Sequence, residues 1–217
     1  MKLKTYLLSI LLFSFLINNM SGQTEQTNFD YGEIDNNIYK NSFFNFTINI
    51  PTDWAIQNKE QIEAMKRHGE ALMAGDNAQM KAILKASEIN SAILLGAFKY
   101  ELGSAVEYNP GISIVVENIK NFPGIKSGNE YLYQARRIMK NSQIKYDHID
   151  EEFEKIEIDG LEFYRMNAEM NYMELNIKQI YYSTTLNGFG FSIIVSFVKE
   201  SNKEELMNIL NTIKFRD

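Results

Sequence analysis

A chain of 217 residues without a single cysteine has no disulfide, no thiol nucleophile and no sulfur-ligated zinc site. Its 28 acidic residues against 22 lysines and arginines oppose contact with nucleic-acid phosphate unless a concentrated basic patch offsets them. Residues 1–22 hold Lys2 and Lys4 and no acid, so setting them aside takes the net charge from −6 to −8.

The N-terminus reads as an export signal. Lys2 and Lys4 precede the apolar run Tyr6 to Ile17, which is too short to span a bilayer comfortably, and Ser21-Gly22-Gln23 follows. Cleavage near Gly22 is expected, with an uncleaved anchor as the alternative. The mature chain would then carry no stable membrane span and would sit in the periplasm or outside the cell. Residues 23–37 are polar and acidic and read as a flexible leader. Residues 38–217 show no repeat, low-complexity stretch or second linker, so one domain is expected.

Tyr39 to Ser42 brings the chain to a turn. Phe44, Phe46, Ile48 and Ile50 then alternate with polar residues as a strand, which Pro51 stops. Trp54 is expected over the sheet edge. Two helices follow. Ile62, Met65, Gly69 and Leu72 recur at helical spacing up to Gly75, and Asp76 with Gln79 reads as the cap of a second helix carrying Met80, Ile83 and Leu84. Ala92 to Phe98 is a continuous apolar run, expected to be a central strand. Ile112 to Ile119 is another strand. Ser127-x-x-Glu130 starts a helix with Leu132, Ala135, Ile138 and Met139 inward and Arg136, Arg137 and Lys140 in water.

Phe153 to Ile158 and Leu161 to Met170 form a hairpin about Asp159-Gly160, and Asn171 to Met173 leads onward. The clearest signal comes next. Asn187-Gly188 suits a type I′ turn, which would place Leu186 opposite Phe189, Tyr182 opposite Ile193 and Ile180 opposite Val195. Phe189, Phe191, Ile193, Val195 and Phe197 give one apolar face. A final helix starting at Ser201 turns Leu206, Ile209, Leu210 and Ile213 onto that face. These patterns predict an α+β protein, an α/β/α sandwich on a mostly antiparallel sheet, with a helical insertion after the first strands and a C-terminal amphipathic helix packed on the sheet.

The order of elements also resembles a known family. Tyr39 to Ile48 followed by Pro51-Thr52-Asp53-Trp54, then Gln179-Ile180-Tyr181-Tyr182 leading into Gly188 to Ile193, then a closing helix ending Thr212-Ile213-Lys214-Phe215, is similar to the PsbP-like superfamily. That family includes the photosystem extrinsic subunit, the DcrB-like periplasmic lipoproteins and the Ran-binding Mog proteins. The resemblance implies an α/β/α sandwich and an accessory or binding role without catalysis. The motifs are structural, so they transfer no functional residue.

Chemistry-bearing residues are sparse. His68 lies on the first helix, beside its apolar stripe. Asp147, His148 and Asp150 could hold a divalent ion, although they lack calcium-loop spacing. Asp147, Asp150 or Glu152 are the acids a hydrolase would use, yet no strained-serine or glycine-rich phosphate motif accompanies them. Glu154 and Glu157 beside Arg165 read as salt-bridged surface. Tyr164, Tyr172, Tyr181 and Tyr182 cluster on the strands and are the candidate partner-binding surface. The expectation is an exported, non-enzymatic accessory or protein-binding domain of the cell envelope, with a protein partner, no cofactor and no nucleic acid. The alternative is a small-molecule or metal-ion binding protein with the 58–87 helices as a lid.

Overall fold

In the computed structural model, which describes residues 30–88 and 90–216, the chain is built around its Asn187-Gly188 turn. Both turn residues have positive φ, 52° and 80°, as a type I′ turn requires. The elements in order are β1 (Glu33–Asp35), β2 (Ile38–Asn41), β3 (Phe46–Asn49), β4 (Ala55–Ile56), α1 (Lys59–Ala74), α2 (Ala78–Glu88), β5 (Ser91–Phe98), β6 (Gly111–Asn118), α3 (Gly128–Asn141), β7 (His148–Ile149), β8 (Glu154–Ile158), β9 (Leu161–Tyr172), β10 (Leu175–Leu186), β11 (Phe189–Phe197), α4 (Glu200–Leu210) and β12 (Lys214–Phe215). The pairings Leu186–Phe189, Tyr182–Ile193 and Ile180–Val195 are those the turn predicts.

The larger sheet runs β4-β5-β6-β11-β10-β9-β7, with β8 pairing β9 beside β7. All of its pairings are antiparallel. A smaller sheet, β1-β2-β3-β12, covers part of one face. There Phe189, Phe191, Ile193 and Val195 meet Leu206, Ile209, Leu210 and Ile213, together with Phe44, Phe46 and Ile48. Each large side chain buried there contributes about 1.5–3 kcal/mol. Phe191 stands edge-on to Phe46 at 5.3 Å.

On the other face Val115, Ile194, Met166 and Tyr181 pack under Tyr131, Leu132, Ala135 and Met139 of α3 and Met65 of α1. Small residues allow this close approach. A Cβ on Gly190 would overlap the Tyr131 ring, and Ser183 and Ser192 pair hydroxyl to hydroxyl at 2.6 Å beneath the helix. The layers are therefore α3 with α1, then the large sheet, then α4 with the small sheet. Among the described residues no helix is long and apolar enough to cross a membrane.

Several local expectations are corrected. The export signal lies outside the described residues, but within the expected leader Glu33–Asp35 is a strand, paired with Ile38–Lys40. Tyr39 to Asn41 continues that hairpin, and the turn comes after it, before Phe46. β5 lies next to the edge of its sheet rather than at the centre. The cap of α2 is Asn77, whose Oδ1 accepts from Met80 N at 3.0 Å, and not Asp76. α4 begins at Glu200 after Lys199, with no side-chain cap bond, so Ser201 does not start it. Lys214 and Phe215 leave the helix to pair with Thr47 and Phe46. The turn after β9 falls at Met173-Glu174, both with positive φ, so strand pairing reaches Tyr172.

Candidate functional site

The structure divides the four candidate tyrosines. Tyr181 is fully buried under α3, its hydroxyl donating to Gln179 Oε1 at 2.7 Å. Burial pushes that hydroxyl well above its ordinary pKa. Tyr182 is buried on the opposite face, its hydroxyl 3.4 Å from Met207 Sδ. Neither side chain is a surface residue, because β10 is covered on both sides. Tyr164 and Tyr172 are half-buried.

The acidic stretch does local structural work. Asp150 Oδ2 accepts from the backbone N and the Nδ2 of Asn167, both at 2.7 Å, while Oδ1 meets His148 Nε2 at 2.8 Å. Asp147 points elsewhere, with Oδ2 accepting from Asn171 N at 2.6 Å. These bonds fasten β7 and its flanks along the edge of β9. Among the described residues no group of three or more His, Asp or Glu side chains is arranged to hold a metal ion. Glu152 is exposed beside an open cleft next to Arg136. Glu154 forms the expected ion pair with Arg165.

Arg136 is not on a wet face. Its side chain is 12% exposed, and its guanidinium lies 5.3 Å from the centroids of both Tyr133 and Phe153. It donates to the carbonyls of Asp150 and Glu151 and pairs with the Glu151 carboxylate at 3.1 Å. Arg136 therefore clamps the acidic loop to α3. The i, i+3 spacing of Tyr133 and Arg136 was the legible sign that the two groups meet.

A further concavity lies elsewhere. β4 pairs only with Ala97 and Phe98, and Gln57 N extends this contact by one bond to Gly96 O at 2.9 Å. The chain then turns into α1, capped by a reciprocal Asn58–Gln61 box with both bonds at 2.9 Å. Ser91 to Leu94 is thereby left without a neighbouring strand on that side among the described residues. A cavity of about 200 Å³ occupies the place. Ser91 to Leu94 form one wall, Lys59, Ile62, Glu63 and Lys66 of α1 a second, and Tyr31 to Ile34 with Tyr39 a third.

The third wall is held by a dense set of bonds. Asp30 accepts from Gly32 N at 2.7 Å, Ser42 N at 2.8 Å and Phe43 N at 3.1 Å. Tyr39 OH donates to Tyr31 O at 2.8 Å, and Asn41 Nδ2 donates to Asp30 O at 2.9 Å. Burial pushes the Asp30 carboxyl up, but the three N–H donors outweigh it and hold the group below its ordinary 3.8. Gly32, at φ +76°, lets the chain cross the Tyr39 ring, where a Cβ would stand 2.5 Å from the ring carbon that bears the hydroxyl.

One polar atom of a lining residue is unmatched. Gln57 is 5% exposed; its Nε2 donates to Ala55 O at 3.1 Å, and its Oε1 is buried with no hydrogen-bond partner among the described residues. Leaving such an acceptor unsatisfied costs about 1–3 kcal/mol. No sequence motif announces Gln57, because its importance comes from the strand that stops beside it.

No family model matches the chain, and no curated protein matches it. Solved structures do. A crystal structure from Bacteroides thetaiotaomicron VPI-5482 is 11% identical, with TM-score 0.40, over 80% of this chain; this chain spans 46% of that protein. The solution structure of cyanobacterial PsbP from Synechocystis sp. PCC 6803 is 10% identical, with TM-score 0.49, over 90% of this chain and 99% of that one. LpqN of Mycobacterium tuberculosis, described as involved in cell envelope biogenesis, is 9% identical, with TM-score 0.44, over 78% and 82%. A PsbP structure is thus among the solved structures to which the chain is similar.

Proposed function

We propose that this chain is an exported, non-enzymatic binding domain of the cell envelope, and that what it binds enters the cavity between α1 and the N-terminal hairpin. The export reading rests on Lys2, Lys4 and the short apolar run after them. The single observation that carries the binding reading is the concavity itself, left where β4 ends and Ser91 to Leu94 face α1 and Tyr31 to Ile34 across a gap. Pockets of this kind, apolar with a few convergent polar groups, are where small ligands or single side chains lodge. A protein partner at the envelope would meet the chain at the rim, where Tyr31, Ile34 and Ile38 are exposed. In this reading α1 is a side wall of the site. α2 packs on Met170 and Ile177 in a separate cluster, so the lid of the alternative reading reduces to one helix.

The test uses the purified mature chain and envelope extract. A component at about a hundred times its dissociation constant adds about 2.7 kcal/mol to stability, and the shift should vanish when Ile62→Trp fills the cavity. An equal shift in the variant would place binding elsewhere and overturn the reading.

A further inference from the structure

Granting that binding occurs in this concavity, its β5 wall sets the chemistry of the occupant. The phase of the β5–β6 ladder is fixed at both ends: Asn118 N donates to Asn90 O at 2.8 Å, and Lys99 N to Pro110 O at 3.0 Å. In an antiparallel pair alternate residues exchange both main-chain bonds with their neighbour, and the residues between them point away. Asn90 and Ala92 therefore turn to β6, while Ser91 and Ile93 turn their N–H and C=O to the outer edge. Further along, that edge is filled by β4, where Gly96 O accepts from Gln57 N at 2.9 Å and Phe98 pairs with Ala55. Between the two stretches the register shifts, from Ile93 to Leu95. Such a bulge bends its strand and ends the pairing beside it, so β4 stops and the edge at Ser91 and Ile93 stays open. Its two donors and two acceptors, repeating at about 7 Å, have no partner among the described residues. Ile93 is only 6% exposed, and buried main-chain groups are almost always paired.

We propose that the concavity receives an extended, uncharged, apolar peptide segment of a protein partner, which adds to the open edge of β5 as a short strand in line with β4. A peptide main chain repeats donor and acceptor at the spacing that Ser91 and Ile93 present, and strand addition of this kind draws its affinity from those bonds. Side chains of the incoming strand point alternately to its two faces. One set meets Ile62 of α1, and the other meets Tyr31 and Ile34, which are 53% and 49% exposed without it. The charged lining residues Glu33, Glu63, Lys59 and Lys66 are equal in sign count, so the gap favours neither an acidic nor a basic segment.

The probes are N-acetyl-Val-Ala-Val-Ala-Val-amide and its depsipeptide, in which ester oxygens replace the main-chain N–H groups and keep the shape. Binding to the purified mature chain is followed by amide hydrogen exchange, taken against intrinsic rates, and by chemical shifts. In the free chain the Ser91 and Ile93 amides should exchange far faster than that of Ala92. Protection of both before any peptide is added would mean that the edge is already filled, and would overturn the proposal. The peptide should protect Ser91 and Ile93, and the depsipeptide should bind at least about tenfold more weakly. Ser91→Pro removes one outward donor at the first residue of β5, where proline leaves the β6 ladder intact; it should weaken the peptide severalfold while Ala92 stays protected. Equal binding of peptide and depsipeptide overturns main-chain pairing but leaves the concavity reading standing. Failure of the peptide to bind overturns the strand as occupant, and the Ile62→Trp experiment with envelope extract then decides the concavity reading by itself.

Discussion

Gly128→Ala is expected to destabilise the protein by about 1–2 kcal/mol, and the reasoning is steric. Gly128 is the first residue of α3 and lies against β10. A methyl group there would overlap the Ser183 carbonyl oxygen and stand 2.5 Å from its carbon and 3.1 Å from Thr184 Cα. Those atoms are backbone in a strand paired on both sides, so they cannot move aside. The carbonyl oxygen is the nearest atom, and clearing it to an ordinary 3.4 Å requires α3 to retreat by about 1.6 Å. A gap of about 0.5–1 Å forfeits a quarter to a half of each packing contact, and Tyr131, Leu132 and Ala135 are all fully buried beneath that helix. Overpacking of this kind costs about 1–3 kcal/mol. Alanine's better helix propensity returns at most about 1 kcal/mol, and less in the first turn. Gly124→Ala is the matched control, because a Cβ there meets nothing within 4 Å, and it should stay within about 0.5 kcal/mol of the parent. Urea unfolding reads both, as a lower midpoint at unchanged slope for Gly128→Ala alone. Equal midpoints for the two variants would refute the claim that α3 is seated directly on the strand backbone.

Other outcomes follow from the same geometry. Asp30 has a lowered pKa, so its contribution is present above its ordinary 3.8 and is lost as the pH falls through its folded value below that. Protection of the Ser42 and Phe43 amides, taken against the intrinsic exchange rate at each pH, should therefore fall below about pH 4, and Asp30→Asn should lower it already at neutral pH. Arg136→Lys keeps the charge but loses the planar fork between two rings. It should cost about 1–2 kcal/mol and expose Asp150 to Phe153 to proteolysis, whereas Arg137→Lys, on the exposed neighbour, should change neither. Leu206→Ala, at a fully buried position of α4, should cost about 2–5 kcal/mol by calorimetry or urea unfolding. A smaller loss would mean that α4 does not seal the sheet.

Short-range pattern was enough for the central hairpin. Asn187-Gly188 and the alternation from Phe189 to Phe197 carry turn and register in adjacent residues; both faces of the strand are buried, and a slip would exchange Phe189 and Phe191 with Gly190 and Ser192 between them. The stripe Leu206, Ile209 and Leu210 likewise reported its own buried side. Where the reading failed, the deciding partner was distant in the chain. Lys214 and Phe215 became a strand because Thr47 and Phe46 offered an edge. Tyr181 went inside because α3 covers it, and Arg136 left the solvent because Phe153 and two loop carbonyls came to meet it. The cavity depends most on distant contacts. It exists because β4 stops after two residues, α1 turns away, and Asp30 and Tyr39 hold a third segment across the gap. Periodicity records which way a side chain faces along its own strand or helix; which other segment arrives opposite, and whether it fills the space, is set only when the chain closes on itself.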